Sequence, residues 1–386
     1  MKAPSGGPWR GGAAAPPSHR SAPVAGLTEN PGRRRREAAL RSLAERLVPQ
    51  SEIRRAAETV RAWGAEPRTP IALGGLAGEA RLGAIHYQDE GPRFPVGSFK
   101  PWGGGYATER LVARRSAEPV TVTCATDGNH GQAVAWAARR AGARAVVYLA
   151  AIVSAEAERR MVELGAEVVR STGDHEVASA ECLAAARERG WYVISETENA
   201  TETRIALDTL AGYGALWEEA LAPFGATPPT HLFVQAGVGG LAAVSAVVTA
   251  RRFGEHRPIL VVVESEKADC IRRSLEAGRR VTVEGPFDTR LAGLAAGATS
   301  LYAWLSLRAG ADFALAIADA AAEDAVRRLA SPVAGDPAIH AGGSGAAGLA
   351  GALAAAADRK TRSALELGRS SRVLVIGTER ALEPGA

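Results

Sequence analysis

Two hydrophobic rhythms take turns along the chain. Short, nearly continuous β-branched runs appear as "PVTVTCAT" (119–126), "ARAVVYLA" (143–150), "AEVVRST" (166–172), "WYVISE" (191–196), "HLFVQA" (231–236) and "PILVVVE" (258–264). Such runs, bounded by Gly, Pro or polar clusters, predict buried strands. Between them lie stretches with helical spacing: "HGQAVAWAARRAG" (130–142), "SAEAERRMVELG" (154–165), "HEVASAECLAAARERG" (175–190), "LDTLAGYGALWEEAL" (207–221) and "LAAVSAVVTARR" (241–252). Two more helices are predicted over 36–48 and 51–63, and a last buried strand over "RVLVIG" (372–377). Strands that alternate with helices this way predict βαβ units around parallel sheets, an α/β fold. No fixed-period repeat is present.

Composition changes this picture little. The chain has 386 residues, 46% hydrophobic and 23% charged, ordinary for a globular protein, and only 5% aromatic, so Ala, Val and Leu must fill the core. Residues 1–36 differ: they are rich in Gly, Pro, Ser and Arg, end in "RRRR" and hold one acid, Glu29. They are expected to form a disordered tail, with an Arg-rich transit peptide as the alternative. Part of the net charge of +4 sits there, and no basic stripe interleaved with aromatics follows, so nucleic-acid binding is not expected. The three cysteines, Cys124, Cys182 and Cys270, form no C-x-x-C pair. That argues against a disulfide framework or a structural metal and fits a reducing cytoplasm. No apolar run reaches the ~18 residues a membrane span needs.

Four segments carry candidate chemistry. In "VGSFKPWGGGYA" (96–107) Lys100 stands between Ser98 and three glycines. A desolvated lysine forms imines with carbonyls, and glycines admit a flat ring or a phosphate; the plain alternative is a solvated lysine before a turn. "CATDGNHGQAVAWAA" (124–138) sets Thr126, Asp127, Gly128, Asn129, His130 and Gly131 between a strand and a helix, where parallel sheets bind ligands, or simply caps the helix. "VQAGVGGLAAVSA" (234–246) puts Gly237, Val238, Gly239 and Gly240 ahead of a helix, an anion site. It also matches G-x-G-x-x-A, with Glu264 ending the next strand, so a nicotinamide-dependent oxidoreductase is a competing reading. "HAGGSGAAGLAG" (340–351) is a further glycine loop before a helix, with Ser344 as a candidate cap.

Taken in order, "DEGPRFPVGSFKPWGGGYA", "ATDGNHGQAVAWAA", "QAGVGGLA", "VESEKADCIRRS", "LAGLAAG" and "GGSGAAG" resemble the diaminopropionate ammonia-lyase family of fold type II pyridoxal-phosphate enzymes, over roughly 65–380. The resemblance implies two parallel-sheet αβα domains with the cofactor between them: a large one over about 37–115 and 200–386, and a small one inserted at about 116–199. It implies pyridoxal 5'-phosphate held covalently by Lys100, with Asn129 at the ring hydroxyl, Gly237, Val238, Gly239 and Gly240 on the phosphate, and Thr378 at the ring nitrogen. Ser98, Thr126, Gly128 and Ser344 would meet the substrate, and Asp127 would serve as the acid–base group for a D-substrate. A homodimer acting on a small amino acid follows from the same likeness. The chain departs from the family at four positions. Glu196, a catalytic candidate, stands in "SET" where the family has aspartate, and its extra methylene moves the carboxylate by about one bond length. Ala296 and Ala298 replace a cysteine and an acid, and Gly343 replaces a glutamate. Serine or threonine dehydration, β-replacement, and a non-catalytic cofactor-binding relative therefore stand as alternatives to elimination on 2,3-diaminopropionate.

Overall fold

A computed structural model of the chain describes residues 24–33, 37–115, 118–126, 128–197, 203–332 and 335–381. The strands are β1 (Val24–Glu29), β2 (Ile71–Ala72), β3 (Ala84–Asp89), β4 (Thr121–Thr126), β5 (Arg144–Leu149), β6 (Ala166–Arg170), β7 (Tyr192–Val193), β8 (His231–Gln235), β9 (Ile259–Ser265), β10 (Phe313–Ile317) and β11 (Arg372–Gly377). They form two sheets, one of seven strands in the order β1-β10-β9-β8-β11-β3-β2 and one of four in the order β6-β5-β4-β7. The small sheet is wholly parallel. In the large sheet only the edge strands β1 and β2 run antiparallel. This is the α/β, fold type II arrangement expected from the sequence.

The apolar runs read as near-continuous because both sheet faces are covered. Leu260 and Val262 of β9 pack into one buried cluster, Val261 and Val263 into another on the opposite face. The same alternation sends Leu374 and Ile376 of β11 one way and Val373 and Val375 the other. Every small-sheet strand lies between residues 121 and 193, and the large sheet draws strands from both sides of that stretch.

The structure corrects several expectations. The segment expected to be a structureless tail to residue 36 includes β1, which pairs with β10 from Val24↔Ile317 to Glu29↔Phe313. Asn30 pins its end: the buried side-chain amide donates to the carbonyls of Ala311 (2.6 Å) and Arg308 (3.2 Å). A short, mixed strand like "VAGLTE" draws its stability from the core strand it joins, which its own pattern does not show. Residues 1–23 and 34–36, the rest of that expected tail apart from 30–33, lie outside the described residues. The strand expected over 191–196 shrinks to Tyr192–Val193, which leaves Glu196 in the loop beyond it. Ser344 does not cap its helix: the helix Gly343–Ala357 begins one residue earlier, with Gly342 as N-cap.

Candidate active site

Lys100 follows the long connection out of β3 and precedes a buried π-helical turn, Pro101–Gly105. That connection is fixed by a buried ion pair. Arg93 donates to both oxygens of Glu90 (2.6 and 3.0 Å), and the Trp102 indole donates to the same carboxylate (2.8 Å). The glycines after Lys100 do not open room for a ligand, as the sequence suggested. A Cβ on Gly103 would meet the Tyr213 ring at 2.6 Å, and one on Gly104 the His130 ring at 3.0 Å. On the facing helix, Thr203–Leu221, a Cβ on Gly212 would lie 1.6 Å from the Trp102 carbonyl oxygen. The glycines seat the lysine-bearing turn directly on that helix, and so bring Tyr213 to the lysine.

The Lys100 ammonium donates to Glu196 Oε2 at 2.5 Å, and the Tyr213 hydroxyl donates to Glu196 Oε1. The Phe99 and Tyr213 rings stack, 5.1 Å apart. Burial alone would raise the Glu196 carboxyl. The Lys100 charge, His130 and the hydrogen bonds from Lys100 and Tyr213 outweigh it and hold the group down at about 2. His130 lies 2.9 Å from the Ile194 carbonyl through Nε2. A carbonyl can only accept, so Nε2 carries the proton. Burial, aided by the Lys100 charge, lowers this imidazole's pKa against the pull of Glu196. The neutral ring's Nδ1 is buried and has no hydrogen-bond partner among the described residues.

Lys100, Glu196, Tyr213 and His130 line a cavity of about 530 Å3. Its far wall is the turn after β8. Gly239 there has φ +94°, a left-handed conformation that glycine supplies without strain, and the 14-residue helix Gly240–Phe253 starts next. The Val238 carbonyl is turned away, accepting from Ser300 N (2.9 Å) and Thr299 Oγ1 (3.1 Å). Among the described residues the N–H groups of Gly237, Val238, Gly239 and Gly240 have no acceptor. A backbone cradle of free donors at a helix N-terminus fits a phosphate.

A third wall joins the ends of β8 and β11. Gln235 Nε2 donates to Thr378 Oγ1 at 3.0 Å, which leaves the hydroxyl proton free to donate. Glu379 takes Asn129 Nδ2 on Oε2 (2.5 Å) and the amides of Ser344 (3.1 Å) and Gly345 (3.3 Å) on Oε1. Burial raises its carboxyl in spite of those donors. Neither Glu379 nor Tyr213 stands out in the sequence as a site residue. One follows a strand end and the other sits in an apolar helix, and only the fold turns them inward.

The candidate residues divide. Lys100, Thr126, Gly128, Asn129, Glu196, Gly237, Val238, Gly239, Gly240, Ser344 and Thr378 all line the cavity. Ser98 does not line it: it is fully buried, and its Oγ has no hydrogen-bond partner among the described residues. Thr126 spends its hydroxyl on the amides of Gly128 (3.1 Å) and Gly131 (3.2 Å), shaping the turn. Ala296 and Ala298 line the cavity, whereas Gly343 does not. Asp127 lies outside the described residues. The dinucleotide reading fails at Glu264, which is buried and accepts from the amides of Ile271 (2.8 Å) and Arg272 (2.7 Å). Burial pushes this acid up to about 8, and it caps a helix where a ribose would need it free.

A lysine amine, a cradle of free amides and a hydroxyl donor on one cavity suit a phosphorylated carbonyl compound, and the comparisons agree. The profile of the pyridoxal-phosphate dependent enzyme family matches residues 62–379, and the chain belongs to that family. Its cofactor is pyridoxal 5'-phosphate. Within the family it is a lyase of the diaminopropionate ammonia-lyase branch. It is 33% identical over 339 residues to the diaminopropionate ammonia-lyase of Escherichia coli K12, covering 82% of this chain and 85% of that one. The holo crystal structure of the Escherichia coli enzyme superposes with a TM-score of 0.85 at 28% identity, over 94% of this chain and 95% of the other. The same enzyme in complex with an aminoacrylate–pyridoxal phosphate azomethine intermediate gives 0.83 at 29% identity, with the same coverage.

Proposed function

We propose that the chain catalyses α,β-elimination on 2,3-diaminopropionate or a close β-substituted amino acid, giving pyruvate and ammonia. The observation that carries this reading is the Lys100 amine facing the same cavity as the free amides of Gly237–Gly240. When bound, pyridoxal phosphate supplies an electron sink for charge developing at the substrate's Cα. The amides of 237–240 would hold its phosphate, Lys100 would attach it, Asn129 would reach the ring hydroxyl, and Thr378 would donate to the ring nitrogen.

The protein's own groups do the rest. Lys100 Nζ, once displaced by the substrate amine, takes the α-proton of an L-substrate. Glu196, already ionised and fixed by Tyr213, steadies the ammonium that results. Asp127 takes the α-proton of a D-substrate from the opposite side. Neutral His130, packed against the turn that follows Lys100, adds no competing positive charge. The departing β-amine leaves protonated, and the released enamine hydrolyses in water to pyruvate and a second ammonia.

Dehydration of serine is the second reading. The observation that keeps it open is that Ala296 and Ala298 leave their stretch of the cavity wall with no polar side chain to select a β-amine over a β-hydroxyl. The reading of the cell context is a homodimer in the cytoplasm, supported by the family likeness and by three buried free thiols. The test is direct. Purified protein with pyridoxal phosphate should show an absorption band near the visible edge that borohydride abolishes, with the adduct on Lys100. Diaminopropionate should then yield two ammonia per pyruvate, whereas serine yields one. A protein that stays colourless with added cofactor sinks the reading, and pyruvate from serine alone favours the dehydratase.

A further inference from the structure

A second cavity, about 870 Å3, opens far from the first. Arg81 on its rim lies three residues before β3, and Arg369 three residues before β11. These two strands are parallel, and Lys100 and Thr378 come after them. The groove therefore sits at the amino edge of the sheet and the cofactor cavity at the carboxyl edge, a strand length of ~20 Å away.

The groove's lining carries five arginines against one glutamate, Glu79. Two of the arginines are already committed. Arg328 pairs with Glu79 (2.9 Å) and Asp324 (2.7 Å), and Arg362 donates to the carbonyls of Ala80, Arg81 and Ala356 at 2.8–2.9 Å. Arg81, Arg359 and Arg369 make no ion pair or side-chain hydrogen bond among the described residues. The floor between them is apolar, built from Leu353, Ala356 and Leu367. Three arginines without a side-chain partner among the described residues line one concavity whose volume is in the ~300–1,000 Å3 range of small-molecule sites. Guanidinium matches phosphate oxygens two at a time, and an apolar floor takes a ring face. A flat basic patch for nucleic acid or an acidic protein would need neither concavity nor floor.

We propose that this groove binds a phosphorylated organic anion of the nucleotide class, with its phosphates on Arg81, Arg359 and Arg369 and its ring on Leu353, Ala356 and Leu367. The proposal is independent of the reaction at Lys100. The experiment is calorimetric titration of the holoenzyme, its cofactor site filled, with ATP, AMP and tripolyphosphate at ~0.15 M salt, where long-range screening is physiological. ATP is expected to bind with a Kd of about 0.1 mM or tighter, more tightly than AMP because it brings more charge. Tripolyphosphate, which lacks a ring, is expected to bind at least about tenfold more weakly than ATP. The double substitution Arg359→Glu, Arg369→Glu, both exposed and away from the catalytic cavity, should weaken ATP at least about 30-fold and leave the cofactor's absorbance unchanged. No saturable ATP binding, or binding undiminished in the double variant, would overturn the site. Equal affinity for tripolyphosphate would overturn the organic part of the ligand.

Discussion

Replacing Glu196 by glutamine tests the electrostatics of the site without changing its shape. The Glu196 side chain is 18% exposed, and its carboxyl is held at about 2 against an ordinary 4.5, because Lys100 and its neighbours outweigh the burial that would raise it. At ~1.4 kcal/mol per tenfold, that difference is worth about 3 kcal/mol to the folded, cofactor-free protein at neutral pH. The folded value lies below the unfolded one, so the contribution is complete above 4.5 and drains away as pH falls from 4.5 towards 2. Linkage leaves about 2 kcal/mol of it at pH 3.5. For a chain this long, with an unfolding entropy near ~0.8 kcal/mol/K, Glu196→Gln should lower Tm by about 4 °C at pH 7 and about 2.5 °C at pH 3.5. Glu196 follows the last strand of the small sheet, while Lys100 and Tyr213 belong to the region around the large one, so the contact ties the two regions together and its loss should lower the unfolding transition of the chain as a whole. The assay is scanning calorimetry of cofactor-free wild type and variant at both pH values. A Tm difference under ~1 °C at pH 7, or one that does not shrink in acid, refutes the ion pair as a stabilising contact.

Tyr213→Phe keeps the ring stacked on Phe99 and removes one donor from Glu196. The carboxyl should rise, and the acid limb of the kcat profile should move to higher pH with a stability loss of only ~1 kcal/mol; a pH–rate series that superposes on wild type counts against the contact. Asp127→Asn should lower turnover of D-diaminopropionate by ~100-fold or more while sparing the L-isomer, measured as pyruvate release from each; equal losses would remove Asp127 from its assigned role. Gly212→Ala places a methyl 1.6 Å from the Trp102 carbonyl and should cost more than ~4 kcal/mol, seen as insoluble expression or a Tm lowered by several degrees. Wild-type stability in that variant would show that the turn after Lys100 is free to shift.

The sequence made the central strands legible because β4, β5, β8, β9 and β11 are β-branched runs that stay apolar on both faces. It hid β3, "AIHYQD", whose His86 and Gln88 break the run, and β10, "FALAI", whose alanines read equally well as helix. It hid β1 for the reason that hides most edge strands, a stability lent by the neighbour. In the site, the lysine and the 237–240 turn were legible because both depend on local composition. Tyr213 and Glu379 were not: Tyr213 acts through Glu196, whose other partner Lys100 lies 96 residues before it, and Glu379 acts through Asn129, 250 residues away. The glycines after Lys100 were noticed for the wrong reason: their small size serves a helix contact, and the ligand cradle lies elsewhere.

That division bears on which end of the cavity can diverge. The cofactor end is built from backbone amides at 237–240 and from a hydroxyl fixed by Gln235, parts that tolerate sequence change around them. The substrate end depends on side chains, and there the chain departs from the pattern it resembles. Relative to the family pattern, one wall has gained a methylene at Glu196, and another has lost polar side chains at Ala296 and Ala298. The longer acid reaches both Lys100 and Tyr213 from a loop just past β7. The titratable side chains of the cavity stand on its other walls, Lys100 and Glu196 on one and Glu379 on another, and the Ala295–Ala298 stretch is apolar. A β-substituent that points at that wall meets no acid there, so any proton it needs on leaving must come from another wall, where Lys100 and Glu379 stand. Departure of an amine that arrives already protonated asks less of that geometry than departure of a hydroxyl. The wall that lost its acid is therefore compatible with elimination from diaminopropionate, and places the heavier demand on the serine reading.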